Sequence, residues 1–157
     1  MKKVTIFLLC MCGAIAVNAL SVPGDDFKNS LEKMYSSMQK NIREMELTFA
    51  EQYGFAIKLQ ADYSRANNQI INTFEVFSED VYNMFDVEVL SKNGVDGFIN
   101  LLKGQDSTGN TLKWFISGMY RTNTSIAYVI KYHDKQKKKV ISAFELLQIY
   151  MVTVHKK

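Results

Sequence analysis

Cysteine is almost missing. Cys10 and Cys12 are the only two, and both lie near the start of the 157-residue chain. Any part of the protein that excludes this leader has neither a disulfide framework, nor a Cys-ligated zinc site, nor a Cys nucleophile. Proline occurs once, at Pro23, so long helices can run without interruption. Histidine occurs twice, at His133 and His155, and no Glu-x-x-His pair accompanies either. That excludes the di-metal site typical of helical bundles. There is no nucleophile elbow either. The paired carboxylates Glu44/Glu46, Glu79/Asp80 and Asp86/Glu88 read as solvated positions on helices. The chain is therefore not expected to be an enzyme, and no catalytic residue, metal ligand or cofactor is expected.

Charge of one sign is also lacking. The formal net charge is +3, but Lys2 and Lys3 belong to the leader. Removing them takes 19 basic residues to 17, against 16 acidic ones, and leaves +1. Such a balance gives no reason to expect nucleic acid as a partner.

The leader has the form of a secretory signal. Met1-Lys2-Lys3 is positive, Val4 to Val17 is apolar, and Val17-Asn18-Ala19 offers small or aliphatic residues at the cleavage positions. Its apolar core is shorter than the ~20 residues of a spanning helix. Residues 1–19 are thus expected to be removed, leaving 20–157 as one secreted, extracellular domain with no transmembrane segment. A secreted domain without disulfides must be held by packing.

The chief pattern that remains is apolar periodicity. Phe27, Leu31, Met34, Met38, Ile42, Met45 and Phe49 follow at steps of three and four. After Gly54, Leu59, Tyr63, Ala66, Ile70, Phe74, Phe77, Val81 and Phe85 continue in the same way. Such steps line one face of an α-helix. Asp25 or Asp26 is suited to cap its start. One helix from Phe27 to Phe85 would be roughly 88 Å long, too long for a compact domain. The expectation is two long helices, with the chain reversing at Gly54 or at Asn67-Asn68.

Ser91-Lys92-Asn93-Gly94 reads as a helix end, followed by a short helix from Val95 to Lys103. Gly104 to Asn110 reads as a connector. It resembles a calcium loop in composition only, since Thr111 and Ser117 stand where glycine and glutamate are required. A further helix is expected from Thr111 to about His133, and a strongly apolar one, buried between others, from Val140 to Val154. The fold expected is all-α: an irregular antiparallel bundle of four main helices and one short helix.

Two features suggest sites. Lys131, Lys135, Lys137, Lys138 and Lys139 form the one charge cluster, placed between two helices, and could contact an anion or an acidic partner. Asn123-Thr124-Ser125 is the one N-glycosylation sequon. The expected function is a secreted, non-enzymatic interaction protein that meets an extracellular protein or glycan through a helix face or this cluster. The alternative is a carrier of a small apolar ligand or lipid. The many aromatic residues, among them Phe55, Phe85, Phe115 and Tyr132, would then line a cavity between helices.

Overall fold

From Ile57 to Tyr63 apolar and polar residues alternate strictly, and from Ile70 to Val76 every second side chain is again buried. A period of two places these side chains on one face of a strand. In the computed structural model, which describes residues 27–105 and 107–155, these segments are β1 (Ile57–Ser64) and β2 (Gln69–Val76). The leader of 1–19 and the capping positions Asp25 and Asp26 lie outside the described residues.

Two helices precede the hairpin, α1 (Phe27–Gln39) and α2 (Ile42–Tyr53). Three follow it: α3 (Glu79–Met84), α4 (Val87–Gln105) and α5 (Asn110–Thr122). A second hairpin, β3 (Ser125–Tyr132) and β4 (Lys135–Ile141), then leads into α6 (Ala143–His155). The strands form one sheet in chain order. Each hairpin is antiparallel, and the hairpins join through a parallel β2–β3 pair that sets Ile70 opposite Ile126 and Phe74 opposite Ile130.

This corrects the all-α expectation. The protein is mixed α/β, with six helices and a four-stranded sheet among the described residues, and is not a helical bundle. The expected first helix is two, broken at Lys40-Asn41. Both candidate reversal points are used, but neither joins two helices. Gly54 ends α2 with φ 77, a left-handed conformation that costs glycine nothing. Asn68 closes the first hairpin with φ 53, and asparagine tolerates that region better than most residues.

Other helix expectations also fail. Ser91 to Gly94 does not end a helix but lies inside α4. There Gly94 is packed against Tyr128, so closely that an added Cβ would sit 2.8 Å from the ring. The helix expected from Thr111 to His133 stops at Thr122, and a strand takes over. Gly118 on α5 admits the ring of Phe27, which would clash with any Cβ there. Trp114 and Phe115 flank that ring, with centroids 5.1 and 6.1 Å away.

Register fixes the two faces of the sheet. Ile57, Leu59 and Ala61, Ile70, Phe74 and Val76, Ile126, Tyr128 and Ile130, and Ile141 share the inner face. All but Ala127 and Val129 among the buried apolar strand residues belong to the one core cluster, and every helix contributes to it. The outer face carries Lys58, Gln60, Thr73, Glu75, Lys131, Gln136, Lys138 and Val140 around Ile71, Ala127 and Val129. None of these outer-face residues belongs to the core cluster.

A polar knot holds the two hairpins together. The Asn68 side chain donates to the carbonyl of Thr122 and accepts from Thr124 Oγ1 at 2.7 Å. Thr122 and Thr124 hydroxyls lie 2.6 Å apart, and Ser125 N–H donates to Asn68 O at 3.2 Å. Tyr63 also donates to Asn68 Oδ1, at 3.3 Å. Burial raises the pKa of its hydroxyl, against the lowering influence of Arg65, so the neutral donor form is kept. Thr124 is fully buried, and buried polar groups need such partners.

Candidate functional site

The lysine cluster lies on the second hairpin, not between two helices as its sequence setting suggested. Lys131 and Tyr132 end β3, His133-Asp134 makes the turn with His133 at φ 53, and Lys135 to Lys139 lie on β4. Strand alternation therefore sorts the lysines onto two faces.

Lys135, Lys137 and Lys139 share the inner-face register with Tyr132, Ile130 and Tyr128. Each reaches toward α3 or α4. Lys137 is half-buried and donates to the carbonyls of Tyr82 and Phe85, both at 2.8 Å. These are carbonyls at the end of α3, where a cation is favoured. Its ammonium also stands 4.3 Å from the centre of the Tyr82 ring. Lys135 meets Glu79 at 3.0 Å, and that contact raises the lysine pKa. Lys139 lies 3.6 Å from Glu88. These three lysines tie the outer strand to the helices.

Lys131 and Lys138 share the outer face. Both are exposed and neither has an ion pair among the described residues. Register sets Lys131 opposite Gln136 and Lys138 opposite Val129, which makes the two lysines diagonal neighbours, about 7–8 Å apart at the backbone. Lys58, Gln60 and Gln136 are exposed on the same face, and Thr73 is half-buried there. Carboxylates lie toward the β1 side. Glu75 stands between Lys58 and Lys131, and Asp62 accepts from Gln39 and Gln60 at 3.1 and 2.8 Å. The face is thus positive at its β3–β4 end and mixed elsewhere.

Asn123 is exposed and caps α5 in a left-handed conformation, φ 54. The Ser125 hydroxyl of the sequon accepts from the Gln69 side chain at 3.0 Å. Several of the aromatic residues considered for a ligand cavity are packed against another ring, whereas Phe77, Tyr120 and Phe144 are exposed. Phe49 meets Tyr53 and Phe55 at 4.5 and 5.3 Å, Phe98 meets Phe115 at 4.7 Å, and Tyr82 meets Tyr132 at 6.0 Å.

The surface of α6 carries no motif that would single it out in the sequence. This helix has one charged carboxylate, Glu145, yet Phe144, Met151, Val152 and Val154 are 58, 47, 67 and 44% exposed. A helix so apolar was expected to be buried on all sides; among its described side chains only Ala143 and Leu146 are buried. A groove of about 570 Å³ runs between α6 and α4. Among the described residues, no group of His, Cys, Asp or Glu is placed to hold a metal ion, and no helix is long and apolar enough to cross a membrane.

The chain matches no protein-family model, no curated protein and no solved structure.

Proposed function

We propose that this chain is a secreted, non-enzymatic interaction protein that meets an anionic extracellular partner, such as a sulfated glycan, through the outer face of its sheet. The observation that carries this reading is the division of the lysine cluster. Three lysines are tied to α3 and α4, whereas Lys131 and Lys138 are exposed, without an ion pair among the described residues, as diagonal neighbours on the outer face. An exposed cation without an ion pair is available to an anion, and the neutral side chain of Gln136, opposite Lys131, can supply a hydrogen bond beside it. The positive leader, followed by its apolar core, supports secretion.

Retention on immobilised heparin tests the reading. The double variant Lys131→Glu/Lys138→Glu should elute at clearly lower salt than the parent, because exposed charge contacts are screened by salt. A Lys58→Glu variant should show a smaller shift in the same direction. Unchanged retention of the double variant would count against this surface. Lys137 is unsuitable for this experiment, since replacing it would disturb the packing of α3 on β4.

A further inference from the structure

We infer that the open edge of β4 takes up an acidic, extended peptide as an additional strand of the sheet, antiparallel to β4. Tyr132 and Lys135 flank the turn of the second hairpin and pair across it. The pair that closes such a turn exchanges both backbone hydrogen bonds, and hydrogen-bonded pairs then alternate along the ladder. Lys135, Lys137, Lys139 and Ile141 therefore direct their N–H and carbonyl groups at β3. Gln136, Lys138 and Val140 direct theirs away from it, across the edge. All three residues are exposed, and among the described residues no other strand or loop backbone pairs with that side. The opposite edge is already engaged, since Glu46 accepts from the Leu59 N–H and Gln39 donates to the Ala61 carbonyl.

Charge selects the occupant. Lysine fills four of the seven positions of β4, and the strand holds no carboxylate. A neutral strand would take water from Lys138 and return nothing for it. A second copy of β4 is excluded more strongly. Antiparallel pairing centred on Lys138 would set Lys138 against Lys138 and Lys137 against Lys139, and like charges directly opposite each other are destabilising. An acidic strand offsets the charge. On the inner face Lys135 and Lys139 already meet Glu79 and Glu88. On the outer face Lys138 and its diagonal neighbour Lys131 have no ion pair among the described residues. The carboxylates of the added strand thus belong at every second position, on the outer face. Backbone bonds give such a complex its affinity, and the alternate side chains give it selectivity. A glycan has no peptide backbone to pair with this edge, so the inference goes beyond the outer-face reading and is tested apart from it.

Fluorescence anisotropy with a labelled peptide of alternating threonine and glutamate tests the inference. Binding is expected, and a peptide of alternating threonine and lysine should not bind. In the antiparallel arrangement the glutamates opposite Gln136, Lys138 and Val140 point their own N–H groups at β4, and the threonines point theirs away. Methylating the glutamate nitrogens should weaken binding by about tenfold or more, whereas methylating the threonine nitrogens should change it little. Both peptides keep every charge. On the protein, Val140→Pro removes one edge-facing N–H without touching the ladder or any lysine. It should weaken peptide binding several-fold and leave retention on heparin as in the parent, with circular dichroism showing it folded. Amide exchange at Lys138 and Val140, followed by NMR, should be fast in the free chain and slowed by the peptide. No binding of the glutamate peptide at about 1 mM, equal binding of the lysine peptide, or equal losses from the two methylations would overturn the inference. A chain that holds the peptide but not heparin would overturn the outer-face reading alone, and one that holds heparin but not the peptide would overturn the edge alone.

Discussion

The outermost strands of the sheet, β1 and β4, face the same hazard and meet it differently. An edge strand exposes backbone groups that invite another strand to pair. Helices close the edge at β1. Glu46 of α2 accepts from the Leu59 N–H at 2.6 Å, and Gln39 of α1 donates to the Ala61 carbonyl. At β4 charge guards the edge. Lysine occupies four of its seven positions, and an incoming strand would have to desolvate them. The inner three also anchor the strand to α3 and α4. One edge is thus closed by packing and side-chain caps, the other by cations, three of which also tie the strand to the helices.

If the two edges are held in these different ways, substitutions at them should differ in size. Lys137→Met should have the largest effect, because it leaves the Tyr82 and Phe85 carbonyls without their donor. A loss of about 1–3 kcal/mol is expected in urea unfolding. A Lys137→Met protein as stable as the parent would show that β4 does not depend on this anchor.

Glu46→Ala comes next. It strands the Leu59 N–H at a part-buried site and should cost about 1 kcal/mol, whereas Glu46→Gln keeps an acceptor and should lose less. The same measurement on both variants separates the cap from the charge. If Glu46→Gln lost as much stability as Glu46→Ala, the carboxylate charge and not the hydrogen bond would be guarding β1.

The Lys135–Glu79 pair is exposed on both sides, so its effect should be smaller. Its direction with pH is fixed. The hydrogen bond to Glu79 raises the lysine pKa above 10.5 in the folded protein. The stabilising contribution is therefore complete below the ordinary lysine pKa and is lost as pH rises through the folded value. Thermal melting of the parent and of Lys135→Met should differ slightly at neutral pH and converge at strongly alkaline pH.

Lys138→Glu should be the mildest. With no ion pair among the described residues it should change stability by no more than about 0.5 kcal/mol, while lowering retention on heparin. A large loss of stability would mean that the outer face is structural.

The secondary-structure pattern was partly legible, and its failure has a physical cause. A step of four residues keeps a side chain on the same face of either a helix or a strand. Leu59 to Tyr63 and Ile70 to Phe74 are such steps, and they satisfy both periods. Only steps of three discriminate against a strand. In this segment those steps end at Ala66 and Phe77. Ala66 lies in the hairpin turn, and Phe77 lies just beyond β2 and is 60% exposed. The steps that argued for a helix were outside the strands. The strict alternation of Ile57-Lys58-Leu59-Gln60-Ala61-Asp62 was the better signal.

The candidate surface was legible only in outline. The cluster from Lys131 to Lys139 stood out by composition, but a helical assignment could not separate structural from free lysines. Alternation along β4 does separate them, with odd-numbered positions inward and even-numbered positions outward. The α4–α6 groove gave no local signal, because its walls come from stretches far apart in the chain.

The sequence by itself determined what depends on residue chemistry and local conformation. A cysteine-poor chain must rely on apolar packing, Gly54 and Asn68 accept left-handed backbone, and a run of lysines stays near water. The tertiary structure decided what depends on non-local pairing. The parallel contact between β2 and β3 joins hairpins separated by three helices. It places Asn68 against Thr122 and Thr124. Docking α3 onto β4 then decides which lysines are committed to the fold, because a cation beside a helix end and a cation facing water are the same residue with different partners.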